Sequence, residues 1–378
     1  MRIGIEAQRL FRRNKHGMDI VALELIRALQ EIDTVNEYLI FVKNDEDRSC
    51  LRETKNFKII VTQKYPYAWW EQVLLRRLAK RYQLDLLHCT SNTAPISLSM
   101  AMVVTIHDII YLERIDPFKG SLYQIFGNLY RRIVVPLIIR RAKKIITVSD
   151  FEKKVIGARF PKLTPHTVYN AINNSFKQLT DAALLTSAKQ QFSLPDNFIF
   201  YLGNTDPKKN LVGTLKAFSF LIEKMPDPPK LVILDINKPY LDRLINKINP
   251  ALTHHIKIIG YVPNQSLPAI YTLAKIFLYP SLRESFGIPL LEAMACGTPI
   301  ITSNTSAMPE IVNDAALLVN PLNPESIAQA IDTLLSDPSL QARLISNGYQ
   351  RVKDFSWDKN ARQTLEIYKE VYQKSAVA

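Results

Sequence analysis

The chain has 378 residues, 47% hydrophobic and 22% charged, which is the composition of a folded globular protein with room for two domains. No apolar run approaches the roughly 20 residues that span a bilayer; Ile133–Ile139 is seven residues long and contains Pro136. Net charge is +13, and residues 1–175 hold 28 Lys and Arg against 17 Asp and Glu. The first half is therefore expected to face membrane lipid, a lipid-phosphate acceptor or nucleic acid, or else simply to carry a solvated basic surface.

The first residues, Met-Arg-Ile-Gly-Ile-Glu, place charge inside the first apolar run and do not read as a signal peptide. Cys50, Cys89 and Cys296 are scattered and odd in number, which fits a reducing cytoplasm and no metal site. Arg2–Ala7 reads as a strand, and Ile20–Leu29 as a helix carrying Val21, Leu25, Ala28 and Leu29 on one face. Tyr38–Val42 and Lys58–Thr62 are strand-like, and Leu74–Arg81 is a basic helix. Leu86–His88, Met102–Ile106 and Lys144–Val148 are apolar runs that suit a parallel sheet covered on both faces. Ser121–Ala142 is a long helical stretch.

Asn170–Pro195 lacks a sheet pattern and reads as the crossover to a second domain. There Phe198–Leu202, Lys230–Leu234, Ile256–Ile259, Ile276–Tyr279 and Pro299–Thr302 are expected strands. Val212–Lys224, Gln265–Leu273, Pro289–Cys296, Pro324–Ser336 and Ser339–Arg351 are expected helices. The expected fold is α/β, with two doubly wound Rossmann-like domains, residues 1–175 and 176–356, facing a central cleft. The amphipathic last helix, about 357–378, is expected to dock back on the first.

Glu284-Ser-Phe-Gly-Ile-Pro-Leu-Leu-Glu292 is the sharpest chemical signal. It follows a strand and opens into a helix, where backbone N–H groups welcome oxygen ligands. Two carboxylates, Glu284 before the helix and Glu292 near its first turn, can accept hydrogen bonds from one sugar or ribose. The alternative is that Glu284 pairs with a base and Glu292 caps the helix. This segment resembles the EX7E motif of retaining glycosyltransferases of the GT-B fold, in the group 1 or GT4 family. Tyr201–Leu211 is similar to the family's glycine loop with its basic pair. Gly260-Tyr261-Val262 resembles its base-holding segment, and Thr105-Ile-His107-Asp108 its His-Asp element.

The resemblance implies donor contacts at Gly17, Gly203, Asn204, Lys208, Lys209, Val262, Glu284, Ser285, Phe286, Gly287, Ile288 and Glu292, with His107, Glu284 and Lys209 closest to the chemistry. Lys209 is placed at the diphosphate, where a cation stabilises the leaving group. Glu292 is placed at the ribose, and Phe286 and Gly287 offer backbone groups. Asn204 stands where an arginine is frequent, and Gly17 lacks the second glycine common in its loop. The implied activity is a retaining, metal-independent transfer from a nucleotide diphosphate sugar to a glycan or lipid-linked acceptor, in cell-envelope polysaccharide synthesis. It needs no cofactor. A sugar-nucleotide epimerase or phosphorylase on the same fold is the alternative. No G-x-G-x-x-G signature supports a dehydrogenase, and no recognisable module supports nucleic-acid binding. Basic clusters at Arg9, Arg12, Arg13, Lys15 and His16, and at Arg76, Arg77, Lys80 and Arg81 beside Trp69 and Trp70, suggest peripheral contact with anionic membrane at its cytoplasmic face. Donor base, sugar and acceptor stay open at this stage.

Overall fold

A computed structural model describes residues 1–15, 17–112 and 122–376. His16 of the basic cluster and Ser121 at the start of the expected long helix lie outside the described residues. The chain divides into two compact units, Met1–Asn170 with Ser356–Ala378, and Ala171–Phe355.

In the first unit the described strands are β1 (Arg2–Glu6), β2 (Glu37–Lys43), β3 (Phe57–Thr62), β4 (Leu86–Cys89), β5 (Ala101–Thr105), β6 (Lys144–Thr147) and β7 (His166–Thr167). They form one parallel sheet in the order β3-β2-β1-β4-β5-β6-β7. The helices are α1 (Gly17–Ile32), α2 (Tyr67–Trp69), α3 (Arg76–Arg81), α4 (Leu122–Ile139) and α5 (Asp150–Arg159). One face of the sheet packs on α1 and on the C-terminal helix, Trp357–Ala376, through Leu25, Leu29, Ala361, Tyr368 and Val371. On the other face Trp70, Ala79, Val134, Val135, Ile138 and Ile156 bury a second core.

Two details differ from the sequence reading. The helix expected from Leu74 begins at Tyr67 and runs through a π-helical turn, Trp70–Leu75. That register turns Trp70, Glu71 and Leu75 inward together. Gly17, read as a loop residue, is the first residue of α1, with Asp19 in the first turn, where a carboxylate favours helix initiation.

The second unit holds β8 (Phe198–Tyr201), β9 (Lys230–Leu234), β10 (Ile256–Ile259), β11 (Ile276–Tyr279), β12 (Ile300–Ser303) and β13 (Leu317–Val319), all parallel, in the order β10-β9-β8-β11-β12-β13. Its helices are α6 (Ala182–Gln191), α7 (Leu211–Lys224), α8 (Lys238–Ile248), α9 (Leu267–Leu273), α10 (Ile288–Ala295), α11 (Met308–Val312), α12 (Pro324–Ser336) and α13 (Pro338–Arg351). The crossover segment therefore carries a helix, α6, whose N-terminus is capped by Asp181 accepting from Ala183 and Leu184 N–H groups. Asn237, Asn323 and Asp337 cap α8, α12 and α13 in the same way.

Each sheet grows outward in two directions from its first strand. The order reverses between β1 and β4, and again between β8 and β11. Loops at the carboxyl ends of those strands diverge and leave a crevice for ligand.

Candidate active site

In the second unit the loops after β8 and β11 meet at this reversal. Beyond Tyr201 the chain passes Gly203, where a Cβ would stand 2.0 Å from the Tyr201 ring, so only glycine fits. Asp206 accepts from the Lys208 N–H and caps a short 3-10 turn, Pro207–Lys209. Asn210 then takes a left-handed conformation, φ 62°, as α7 begins. Its Nδ2 donates to the carbonyls of Pro280 (3.0 Å) and Pro321 (2.7 Å). Leu282 N–H donates to the Lys208 carbonyl at 2.7 Å, and the Tyr201 hydroxyl to the Lys209 carbonyl at 2.8 Å. Two of these bonds fix the lysine loop against the loop after β11, and the other two tie it to the loop after β13 and to Tyr201 of β8.

The outcome is a compact polar group. Lys209 Nζ donates to Glu284 Oε1 at 2.7 Å and to the Tyr279 hydroxyl at 2.8 Å, and lies 4.8 Å from the Tyr279 ring centroid. Both charged side chains are largely buried, 15% and 11% exposed, where a charge-assisted bond is strong. Burial, reinforced by Glu284 and Glu292, pushes the Tyr279 phenol well above its ordinary range. The two carboxylates therefore share one electrostatic neighbourhood. Glu292 lies in the second turn of α10, not the first, and its Oε2 accepts from the Tyr271 hydroxyl at 2.8 Å. Burial pushes its carboxyl up to about 7, with the Tyr271 bond acting in the opposite direction.

Gly287 opens α10 at φ 101°, a conformation that favours glycine. Phe286 is buried, edge-on to Phe355 with centroids 5.8 Å apart, so only its backbone is left for a ligand. Ser285 and Ile288 flank this turn, half-buried. Val262 follows β10 and is likewise buried. Asn204 and Lys208 stand apart from the lysine–glutamate group. Asn204 Oδ1 accepts from Asp206 N–H, and Lys208 Nζ is 3.7 Å from Asp206 Oδ2.

In the first unit His107 follows β5. Its ring Nε2 faces the Thr90 carbonyl at 2.9 Å, and its backbone N–H donates to Asn92 Oδ1 at 2.6 Å. A carbonyl can only accept, so the neutral ring carries its proton on Nε2 and presents Nδ1 as an acceptor. Burial lowers the His107 pKa, the Thr90 bond opposing it. Asp108 Oδ1 accepts from Ile110 N–H and so caps the following turn. Arg9 pairs with buried Asp19 at 3.2 Å in the loop and helix after β1. Gly17 has open space where a Cβ would point. Sequence reasoning passed over Glu6 at the end of β1. It is fully buried, with Oε1 accepting from Gln8 N–H, and burial pushes its carboxyl up to about 7. It also passed over Tyr271, Tyr279 and Asn210. Tyr271 lies inside the short helix α9 and Tyr279 ends β11, both otherwise ordinary apolar segments. The Asn210–Leu211 junction is the sole local signal for the third.

The family described as Glycosyltransferase Family 4 matches residues 16–176, and that described as Glycosyl transferases group 1 matches residues 185–351. O-antigen chain mannosyltransferase B of Escherichia coli is 33% identical over 97% of this chain and 95% of its own length. The chain belongs to the group 1, family 4 glycosyltransferases. Another family member, the serotype-specific mannosyltransferase WbdA of Escherichia coli, is 28% identical over 72% of this chain, which spans 34% of that longer protein. Among solved structures, Anabaena Alr3699/HepE in complex with UDP and glucose has a TM-score of 0.76 and 18% identity, over 98% of this chain and 100% of that one. The fold is thus GT-B, two Rossmann-like domains, and the chain is a glycosyltransferase.

Proposed function

We propose that this glycosyltransferase moves a mannosyl residue from a nucleoside diphosphate donor to a glycan or lipid-linked acceptor during cell-envelope polysaccharide synthesis, retaining the anomeric configuration. The observation that carries the reading is the Lys209–Glu284–Tyr279 group at the β8/β11 reversal. The names of the mannosyltransferase relatives support the sugar and the pathway.

Lys209 supplies positive charge to the diphosphate as the C1–O bond breaks, and the buried setting magnifies it. Glu284 holds Lys209 in place and accepts from donor sugar hydroxyls. Glu292 accepts from the ribose hydroxyls. Backbone groups of Ser285–Ile288 meet the sugar, Val262 the base, and Gly203, Asn204 and Lys208 border the phosphates. The acceptor oxygen attacks C1 on the face the diphosphate leaves. Its proton passes to a diphosphate oxygen, so one glycosidic bond forms as another breaks. His107 Nδ1 and the Gly17 helix start serve the sugar and acceptor side. The proposed reaction is metal-independent and without cofactor, with Lys209 taking the part of a cation at the diphosphate. Among the described residues no helix is long and apolar enough to cross a membrane. Peripheral attachment at the cytoplasmic face is the proposed location.

The test is a panel of UDP-, GDP- and ADP-sugars in EDTA, with nucleoside diphosphate release followed by mass spectrometry and Glu284→Ala as control. Release from one mannose donor, surviving EDTA and lost in the variant, is expected. No turnover and no binding of any nucleotide sugar by folded protein would overturn the reading.

A further inference from the structure

The helix α4 is apolar on two opposite sides. Val134, Val135, Ile138 and Ile139 point into the first unit's core. Phe126, Leu129, Ile133 and Leu137 recur at steps of three and four on the other side and are 69%, 52%, 57% and 39% exposed. A helix covering a sheet ordinarily turns polar residues outward. Here the outward stripe is apolar for three turns, and Arg140, exposed, continues it beyond Leu137.

Along α4 and the turn that follows it, the charge has one sign. From Pro117 to Ser149 the chain carries seven Lys and Arg and no Asp or Glu. Arg132, Arg140, Arg141 and Lys143 are exposed. Helix α3, over the same core, adds exposed Arg76, Arg77, Lys80 and Arg81. An exposed aromatic pair, Tyr65 and Trp69, has ring centroids 4.5 Å apart and brackets Tyr67 in the chain. The neighbouring Tyr67 meets Tyr130 of α4 edge-on at 5.8 Å, and Tyr130 donates to Glu71 in the π-helical turn, which fixes the two segments together.

Apolar side chains flanked by arginine and exposed aromatic rings match the interfacial zone of an anionic bilayer, where the apolar groups enter the acyl boundary and the cations meet phosphate. We propose that the outward stripe of α4 docks this protein on an anionic lipid surface, with Arg140 and Arg141 at its end and the Tyr65–Trp69 pair on the segment tied to it. The proposal deepens the membrane-side reading above by naming the surface, and it is tested without sugar transfer.

The full chain is floated with vesicles of phosphatidylcholine alone or mixed equally with phosphatidylglycerol. It is expected to float with the mixed vesicles and to release in high salt. Phe126→Ser with Ile133→Ser, and separately Arg140→Glu with Arg141→Glu, are each expected to weaken partition by about tenfold or more. Val35→Ser, which removes an exposed apolar side chain elsewhere in the unit, is expected to change nothing. Thermal melting without vesicles should match wild type in all three, which reports the fold independently of lipid. Flotation that the stripe and arginine variants leave intact would overturn the proposal. So would failure of the wild type to float, or a dimer in solution that Phe126→Ser with Ile133→Ser dissociates, since a second copy would then be the occupant.

Discussion

Lys209 and Glu284 lie 75 residues apart and hold one another at 2.7 Å. Removing either partner leaves a largely buried charge without its counter-ion. Lys209→Met is expected to lower kcat/KM by about 100-fold or more, since the lost cation is the one proposed to act on charge that grows toward the transition state. Glu284→Gln is expected to cost stability as well, and the double variant to lose less stability than the two single losses combined. Urea melts and initial rates check this. A Lys209→Met enzyme with raised KM and unchanged kcat would restrict the lysine to ground-state binding. Glu292 gives a pH signature. Its folded pKa, raised to about 7, means that it is ionised only as pH climbs through neutrality. An ionised carboxylate accepts from ribose hydroxyls better than a protonated one. Nucleotide affinity is therefore expected to strengthen from about pH 6 to about pH 8, and to flatten in Glu292→Gln, measured by calorimetric titration. The same pKa makes the native state favour the protonated form, so the group's contribution to stability is full below about pH 4.5 and is lost as pH rises through about 7. Both glutamates and the lysine are legible in their own segments. Tyr279 and Tyr271 are not, because their hydroxyls acquire partners only when strand and helix are assembled.

At the scale of elements, the start of α7 shows how a loop is locked. Gly213 is buried one turn into the helix, and a Cβ there would stand 2.4 Å from Asn210 Oδ1. Glycine inside a helix ordinarily costs about 1 kcal/mol relative to alanine, so Gly213→Ala would be expected to stabilise on propensity alone. Here alanine displaces the Asn210 amide and leaves the Pro280 and Pro321 carbonyls without their donor. The expected result is a net loss of about 1–3 kcal/mol and weaker nucleotide binding, seen as a lower Tm. A raised Tm would show that the amide clamp is dispensable. Strands were the readily legible elements, because apolar β-branched runs such as Ile256–Ile259 and Ile276–Tyr279 are bounded by turns. The helix α8 was missed although Asn237 caps it, and Leu241 and Ile245 repeat at helical spacing. The π-helical turn could not be read at all. No propensity distinguishes it from α-helix, and its register follows from the core that Trp70 and Leu75 enter.

The whole molecule is assembled from three cores, one of which depends on the far end of the chain. The C-terminal helix buries Ala361, Ile367, Tyr368 and Val371 against α1 and the first sheet. Each large apolar side chain is worth about 1.5–3 kcal/mol, so together they approach the roughly 5–15 kcal/mol that stabilises a domain. Ending the chain at Phe355 is expected to remove amide-exchange protection from β1–β6 while β8–β13 keep theirs, read by hydrogen-exchange mass spectrometry. Tyr368 adds a polar tie, its hydroxyl 2.6 Å from His88 Nδ1, while His88 Nε2 stands 2.8 Å from Thr105 Oγ1. Burial pushes His88 down to about 3, so the ring stays neutral across ordinary pH and needs both partners in that form. Tyr368→Phe keeps the ring and its packing but orphans Nδ1 in a fully buried site, at an expected cost of about 1–3 kcal/mol. That loss should appear in the exchange of the first sheet alone. Because His88 is in β4 and Thr105 ends β5, the same substitution is expected to loosen the strand that delivers His107. A turnover defect with unchanged nucleotide affinity would be the kinetic counterpart, since Lys209, Glu284 and Glu292, the proposed nucleotide-side group, belong to the other unit.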